Sequence, residues 1–341
     1  MLTRDPARRL LALAAGGALA AGALGACGGG GPTFAAAGSE RLHVVTTVSP
    51  ITNIVANIAG GLADVEGIVP EGANSHEFEP APSVARTLAG ADVVFVNGLG
   101  LEVPTTELAR ANRKDGAEIV ELGARTLSRD RYVYDLSFPR ERGRPNPHLW
   151  TDPLLARRYA ELVRDTLARR DPAHASAYAS NYRRYSAHVD ALDTALRAAT
   201  ATVPQENRRL LTYHDSFPYF AREYGWKVVG AIQPSDFAEP SARDVARLIA
   251  QVRSEALPAI FGSEVFPSPV LDRIADESGA RYVDDLRDDD LPGGEGDAEH
   301  SLVGLLRFDY STIVEALGGR AHALRAVSPA NAVGDEARYA E

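Results

Sequence analysis

The chain has 341 residues, 45% of them hydrophobic and 24% charged, which is the composition of a globular protein long enough for two domains. Its formal net charge of −10 at pH 7 argues against a basic surface that could replace the counterions of a nucleic acid, so we expect no nucleic-acid partner. A single cysteine, Cys27, excludes an intramolecular disulfide.

The first 26 residues have the layout of a bacterial signal peptide. Three arginines precede an apolar stretch over residues 10–26 that is rich in Ala, Gly and Leu. This stretch is too short and too rich in glycine for a comfortable membrane span. Leu24-Gly25-Ala26-Cys27 resembles a lipobox, in which the cysteine is acylated. We therefore predict export, a lipid anchor at Cys27 on the outer face of the bacterial cell membrane, and a flexible tether over residues 27–40.

From residue 42 onwards, short β-rich runs alternate with amphipathic helical periods. The alternation predicts an α/β fold with parallel sheets in two lobes, over residues 41–172 and 204–319. Between the lobes, apolar and tyrosine side chains recur at spacings of three and four, which predicts a long linking helix over residues 173–203. Residues 320–341 show no sustained period, and we expect a mobile tail there.

Three histidines share one local context. His76, His148 and His214 each lie in a loop, after a predicted strand or just before a predicted helix, with Pro, Asn or Asp nearby. They are too far apart in the chain for a finger or single-helix motif, so a site made from them would be assembled by the fold. We expect a structural or solvated role for the other five histidines, which are His43, His174, His188, His300 and His322.

A carboxylate would complete four-coordination of a metal ion. The run Asp284-Asp285-Leu286-Arg287-Asp288-Asp289-Asp290-Leu291-Pro292 follows a predicted strand and is the best source of one. It lacks the Gly and Glu spacing of a calcium loop, which excludes an EF-hand. Taken by itself, the run is equally well explained as a solvated turn. Three imidazoles with one carboxylate are typical of tetrahedral zinc.

These motifs resemble the solute-binding lipoproteins of bacterial ABC importers for zinc and manganese. The resemblance extends from about Leu42 to Leu317 and is most specific in five segments, which are Gly72-Ala73-Asn74-Ser75-His76-Glu77-Phe78-Glu79-Pro80, Asn97-Gly98-Leu99-Gly100-Leu101-Glu102, Asn146-Pro147-His148-Leu149-Trp150-Thr151-Asp152-Pro153, Tyr213-His214-Asp215-Ser216-Phe217-Pro218-Tyr219-Phe220 and Ser235-Asp236-Phe237-Ala238-Glu239-Pro240-Ser241. It implies a metal site in the cleft between two similar lobes joined by a long rigid helix, with an ABC permease and its ATPase as partners.

The resemblance also implies roles for individual residues. The expected metal ligands are His76, His148, His214 and Asp289, with Asp288 as the alternative aspartate and Glu264 close to the ligands. Members of the family that take manganese often have a glutamate at the position of His214. A third imidazole therefore favours zinc, with manganese as the alternative.

Several functions are compatible with this pattern. The leading hypothesis is a monomeric binding protein that delivers the ion to the importer and loses affinity below about pH 6, because only neutral imidazoles bind metal. A zinc hydrolase could use the same three-His, one-Asp site, although the chain has no H-E-x-x-H motif and the fourth ligand is expected from the protein. A surface adhesin is a further alternative, but only the predicted lipid anchor supports it. A siderophore-binding protein is another alternative, because its fold would also contain a long helix.

Overall fold

Two parallel β-sheets organise the computed structural model, which describes residues 41–233, 240–263 and 268–339. The strands are β1 (Leu42–Thr46), β2 (Ala63–Gly67), β3 (Val93–Val96), β4 (Glu118–Glu121), β5 (Arg209–Thr212), β6 (Lys227–Ala231), β7 (Ala259–Ser263), β8 (Arg281–Leu286) and β9 (Arg338–Tyr339). The first sheet has the order β4-β3-β1-β2-β9 and the second the order β6-β5-β7-β8. The α/β class with parallel sheets is therefore confirmed.

Helices connect the strands, as parallel pairing requires. They are α1 (Ser49–Ala59), α2 (Val84–Gly90), α3 (Val103–Asn112), α4 (Leu122–Thr126), α5 (Pro153–Arg170), α6 (Ala175–Thr200), α7 (Pro218–Tyr224), α8 (Ala242–Glu255), α9 (Pro269–Ser278), α10 (Leu302–Ala316) and α11 (His322–Arg325). Helix α1 has Pro50 in its first turn and is capped at its C-terminus by Gly60, whose φ of 56° is left-handed. In the described part of the chain, no helix has the length and apolar character needed to cross a membrane.

The central strands are buried because helices cover both faces of each sheet. All residues of β3 and of β7 are buried, and their sequences are continuous runs with few polar side chains, as expected for strands covered on both faces. The carboxyl ends of parallel strands open onto loops, where side chains from separate loops can form a binding site.

The long helix α6 lies between the two halves of the chain. Its 26 residues give a length of about 39 Å at about 1.5 Å per residue. It packs against α1 and α5, which precede it in the chain, and against α10 and α11, which follow it. Tyr178 and Tyr185 are buried in these contacts, so these tyrosines form a packing surface. We propose the division at residues 41–172, 173–203 and 204–319 because β1–β4 precede α6 and β5–β8 follow it.

The C-terminal segment differs from the sequence expectation of a mobile tail. Residues 338–339 form β9, which pairs in parallel with β2. Asn53 of α1 donates through Nδ2 to Asn331 Oδ1 at 2.9 Å and to Asp335 Oδ2 at 2.7 Å. The segment is thus held by hydrogen bonds to side chains of a distant helix. Such contacts leave no periodic pattern in the segment's own sequence.

Three groups of sequence predictions lie outside the described residues. They are the signal peptide with Cys27 and the tether over residues 27–40, the greater part of the Ser235–Ser241 segment, and Glu264. The lipid anchor and the role of Glu264 therefore stay predictions.

Candidate metal centre

Each of the three predicted histidines lies in a loop between elements of the fold. His76 is in the loop between β2 and α2, and His214 is in the loop between β5 and α7. His148 immediately precedes the short 3-10 turn Leu149–Thr151, which leads into α5. Two of these loops come directly after parallel strands, where side chains from separate loops can meet.

Two of the loops use the same local device to fix the histidine. Asn74 and Asn146 each stand two residues before a histidine, and each side-chain oxygen accepts a hydrogen bond from that histidine's backbone N–H at 3.0 Å. This is an Asx turn, which fixes the backbone with a local side-chain contact. The Asn-x-His pattern at His76 and at His148 is therefore a positioning element encoded in the sequence.

The structure brings the three imidazoles into direct contact. Nε2 of His76 lies 3.0 Å from Nε2 of His148 and 3.2 Å from Nε2 of His214. The Nε2 atoms of His148 and His214 are 2.9 Å apart. Ligand nitrogens around a tetrahedral zinc ion, at Zn–N distances of about 2.0–2.1 Å, are about 3.3 Å from one another. The three nitrogens are therefore spaced almost as a bound ion would hold them.

Burial keeps these imidazoles uncharged. His148 and His214 are buried and His76 is half-buried by its exposed area. Loss of solvation lowers the pKa of His76 and His148 well below the usual value, and the nearby His214 lowers both further. Burial also lowers the pKa of His214, against an opposing effect of Asp288. Neutral imidazole is the form that binds a metal ion, so the lowered pKa values favour metal binding.

Two buried aspartates lie beside serines of the histidine loops. Asp289 Oδ2 accepts a hydrogen bond of 2.5 Å from Oγ of Ser75, which precedes His76. Asp288 Oδ1 accepts one of 2.6 Å from Oγ of Ser216, two residues after His214. Burial raises the pKa of Asp289 to about 7 and also raises the pKa of Asp288.

Neither aspartate belongs to the imidazole cluster itself. Among the described residues, the ligand atoms that lie within 4.8 Å of one another are those of the three histidines. Asp289 as the fourth ligand and Asp288 as its alternative therefore stay predictions. Each of the two is held by a serine close in sequence to a histidine of the cluster, so either carboxylate lies at the border of the site.

Sequence reasoning missed the polar side chains behind the imidazoles. Nδ1 of His148 is 2.8 Å from Oδ1 of Asn146, and Nδ1 of His214 is 3.2 Å from Oε1 of Gln233. Asn146 could have been singled out from its position two residues before a histidine. Gln233 lies two residues after β6 and 19 residues from its partner, and no local pattern marks it.

The sequence matches a known protein family. Residues 44–316 match the model of ZnuA, the periplasmic component A of a zinc-uptake complex. The chain belongs to the ZnuA family. This confirms the family resemblance, because the match extends over most of the chain and includes all three histidine loops.

Individual relatives of this ZnuA-family protein have names that specify different metals. It is 30% identical over 280 residues to the iron-binding protein YfeA of Yersinia pestis, covering 82% of this chain and 88% of that one. It is 29% identical over 278 residues to the manganese-binding lipoprotein MntA of Halalkalibacterium halodurans, covering 82% and 89%. It is 31% identical over 286 residues to the zinc-binding protein TroA of Treponema pallidum, covering 83% and 91%.

The solved structure of TroA, the periplasmic zinc-binding protein of Treponema pallidum, has the same fold. The ZnuA-family chain superimposes on it with a TM-score of 0.74 and 29% identity, covering 82% of this chain and 99% of that one. The two-sheet architecture of this chain is therefore shared with a metal-binding protein of known structure.

Proposed function

We propose that this protein captures a divalent transition metal ion outside the cytoplasm and delivers it to an ABC importer. The main observation is the convergence of three buried, neutral imidazoles whose Nε2 atoms lie 2.9–3.2 Å apart. Three nitrogens at this spacing, reached from three separate loops, form a cation site. The relatives support the proposal because their names describe metal-binding proteins and one of them a lipoprotein.

Zinc is the ion that the donor set favours. Nitrogen donors from three histidines suit a borderline-soft ion, and one carboxylate from Asp289, or from Asp288 as the alternative, would complete a tetrahedron. Manganese is the second candidate, because MntA, a relative whose identity and coverage are nearly those of TroA, is named for manganese. In either case the ion is the cargo of the protein.

We propose that Cys27 is acylated and anchors a monomer to the outer face of the cell membrane, where a permease and its ATPase receive the ion. The family match supports the importer, and the name of MntA supports the lipoprotein. Glu264 would lie near the ligands.

The hydrolase alternative finds no support in the comparisons, because the family model describes a component of a zinc-uptake complex and the names of the relatives describe metal-binding proteins. A catalytic zinc site keeps an open position for water. Here two buried carboxylates border the imidazole cluster and can close that position. We therefore propose that the protein binds and releases its ion without turning over a substrate.

The decisive experiment is metal titration of the mature protein. Zinc and manganese binding should be measured for the parent, for His148→Ala and for His322→Ala, an exposed histidine of α11 that serves as the control. We expect one zinc ion per parent chain, strongly reduced binding in His148→Ala and unchanged binding in the control. Equal binding by all three proteins would contradict the proposal.

A further inference from the structure

The amide of Asn146 is held in one orientation. It is fully buried, and its Oδ1 accepts from the backbone N–H of His148. Its Nδ2 donates to the backbone carbonyl of Asp215 at 2.6 Å and to Oδ2 of Asp135 at 2.9 Å. Exchange of the two amide atoms would place a donor against the His148 N–H and an acceptor against the Asp215 carbonyl. Both contacts would then be repulsive in a buried position, so only the observed orientation satisfies the surroundings.

This orientation determines which ring nitrogen of His148 carries the proton. Oδ1 of Asn146 can only accept a hydrogen bond, and it lies 2.8 Å from Nδ1 of His148. Nδ1 must therefore be the protonated nitrogen of the neutral ring. Nε2 then has its lone pair free for an ion, and it is this atom that faces the other two histidines.

Gln233 provides the same arrangement for the third histidine. Its Oε1 lies 3.2 Å from Nδ1 of His214, and both residues are buried. Its backbone carbonyl accepts a hydrogen bond from Ser137 Oγ at 3.1 Å, which fixes the backbone that presents the amide. Nδ1 of His214 is therefore also paired with a neutral amide oxygen, and Nε2 points towards the cluster.

The charge of the acceptor behind a ring affects how strongly that ring binds metal. A carboxylate in this position fixes the tautomer and also raises the basicity of the imidazole, whereas an amide fixes the tautomer without adding negative charge. Asn146 and Gln233 therefore place no negative charge directly against either ring nitrogen, and the carboxylate of Asp135 lies behind the amide of Asn146, 2.9 Å from its Nδ2. Asn146 additionally joins two histidine loops, because the carbonyl that it contacts belongs to the residue after His214.

We propose that Asn146 and Gln233 are positioning residues that set the Nδ1–H tautomers of His148 and His214, and that their neutral amides hold the affinity low enough for the ion to be released. This inference rests on the proposed capture and delivery of a metal ion. In this proposal, two amides that do not bind the ion themselves set the balance between its binding and its release.

Histidine tautomers can be measured without metal. In the metal-free protein labelled with ¹⁵N-histidine, NMR should show Nδ1–H at both His148 and His214. Asn146→Ala should produce a tautomer mixture at His148, and Gln233→Ala should do so at His214. A parent with Nε2–H at either ring, or variants whose tautomers match the parent, would overturn the assignment.

Zinc affinity tests the second part of the inference. Asn146→Ala and Gln233→Ala should each weaken zinc binding by about 10–100-fold, the range found when such partners are removed. Gln233→Glu should bind zinc more tightly than the parent and release it more slowly to a chelator. Asn181→Ala is the matched control, because Asn181 is also a buried amide but donates to Ile58 in the contact between α6 and α1.

The outcomes separate a positioning role from a structural one. If Asn146→Ala loses stability as Asn181→Ala does but binds zinc like the parent, the inference is wrong. Weaker zinc binding by Gln233→Glu would overturn the claim about release. A parent that binds neither zinc nor manganese would reject the proposed function together with the claim on affinity, whereas the tautomers are judged by the metal-free spectra alone.

Discussion

The hydroxyl of Ser75 donates a hydrogen bond of 2.5 Å to the carboxylate of Asp289, across 214 residues of sequence. Ser75 directly precedes His76, so this bond connects the first histidine loop to the acidic run of the second half. The residue pair is buried, and hydrogen bonds to a buried charged group are worth more than those between neutral groups. The contact therefore couples the position of a histidine to that of a carboxylate.

Removing this hydroxyl should weaken metal binding. We expect Ser75→Ala to reduce zinc affinity about tenfold at pH 7, because the carboxylate of Asp289 loses a charge-assisted hydrogen bond of about 1.5–3 kcal/mol. Titration of zinc against a competing chelator would measure the change. Ser254→Ala, an exposed serine of α8, is the control and should bind like the parent. Unchanged affinity in Ser75→Ala would show that the contact does not support the site.

The two aspartates can be distinguished by proton release. Burial raises the pKa of Asp289 to about 7, so a fraction of this carboxyl is protonated in the metal-free protein at neutral pH. If Asp289 binds zinc, it must give up that proton. We expect calorimetry in buffers of different ionisation enthalpy to show proton release at pH 7 that is lost in Asp289→Asn. Loss of that release in Asp288→Asn, with Asp289→Asn unchanged, would assign the ligand role to Asp288.

As the pH falls, zinc affinity should decrease first through protonation of the Asp289 carboxyl group and only later through protonation of the imidazoles. Burial places the pKa values of His76 and His148 well below the usual value, so protons compete for these rings at lower pH than the unperturbed imidazole would suggest. Asp289, with a pKa of about 7, is protonated first as the pH falls. We expect zinc affinity to begin falling below about pH 7 in the parent and only at lower pH in Asp289→Asn. Identical profiles would contradict this order.

A separate ion pair should make stability depend on pH. Nε2 of His300 lies 2.9 Å from Oε1 of Glu71, and this hydrogen bond is the main cause of a raised pKa of His300. Because the folded state favours the protonated ring, the extra stability is fully present below the unfolded pKa of about 6.5. It is lost as the pH rises through the raised folded value.

We therefore expect His300→Gln to reduce the free energy of unfolding by about 1 kcal/mol at acidic pH and by less at alkaline pH. Urea denaturation of the metal-free protein at about pH 5.5 and about pH 8.5 would measure both values. His322→Gln, an exposed histidine, is the control for the titration of the chain. A loss of equal size at both pH values would show that the pair contributes without its charge.

Much of the fold could be predicted from the sequence because its signals are local. The spacing of apolar side chains indicated the long helix α6, and the alternation of strands and helices indicated parallel sheets. His76, His148 and His214 stood out because each is in a loop with Pro, Asn or Asp nearby. That they meet is a property of the fold, and the sequence indicated it only through the family resemblance.

The remaining features depend on contacts between distant residues. The segment around Asn331 is fixed by Asn53 and Asn57 of α1, more than 270 residues earlier, so its own sequence has no helical or strand period. Asp288 and Asp289 are adjacent in the run over residues 284–290, so chain position alone could not show which of them is the ligand. The structure leaves the same two candidates, since both are buried and both contact a serine.

Strand β9 also affects how molecules of this protein meet one another. It covers the outer edge of β2, and an uncovered edge presents free N–H and C=O groups that can recruit a strand from a second molecule. The fit depends on Gly67, where an added Cβ would come within 2.8 Å of the ring of Tyr339. A larger residue at position 67 would therefore displace Tyr339 with this short strand and leave the edge of β2 open to a strand from a second molecule.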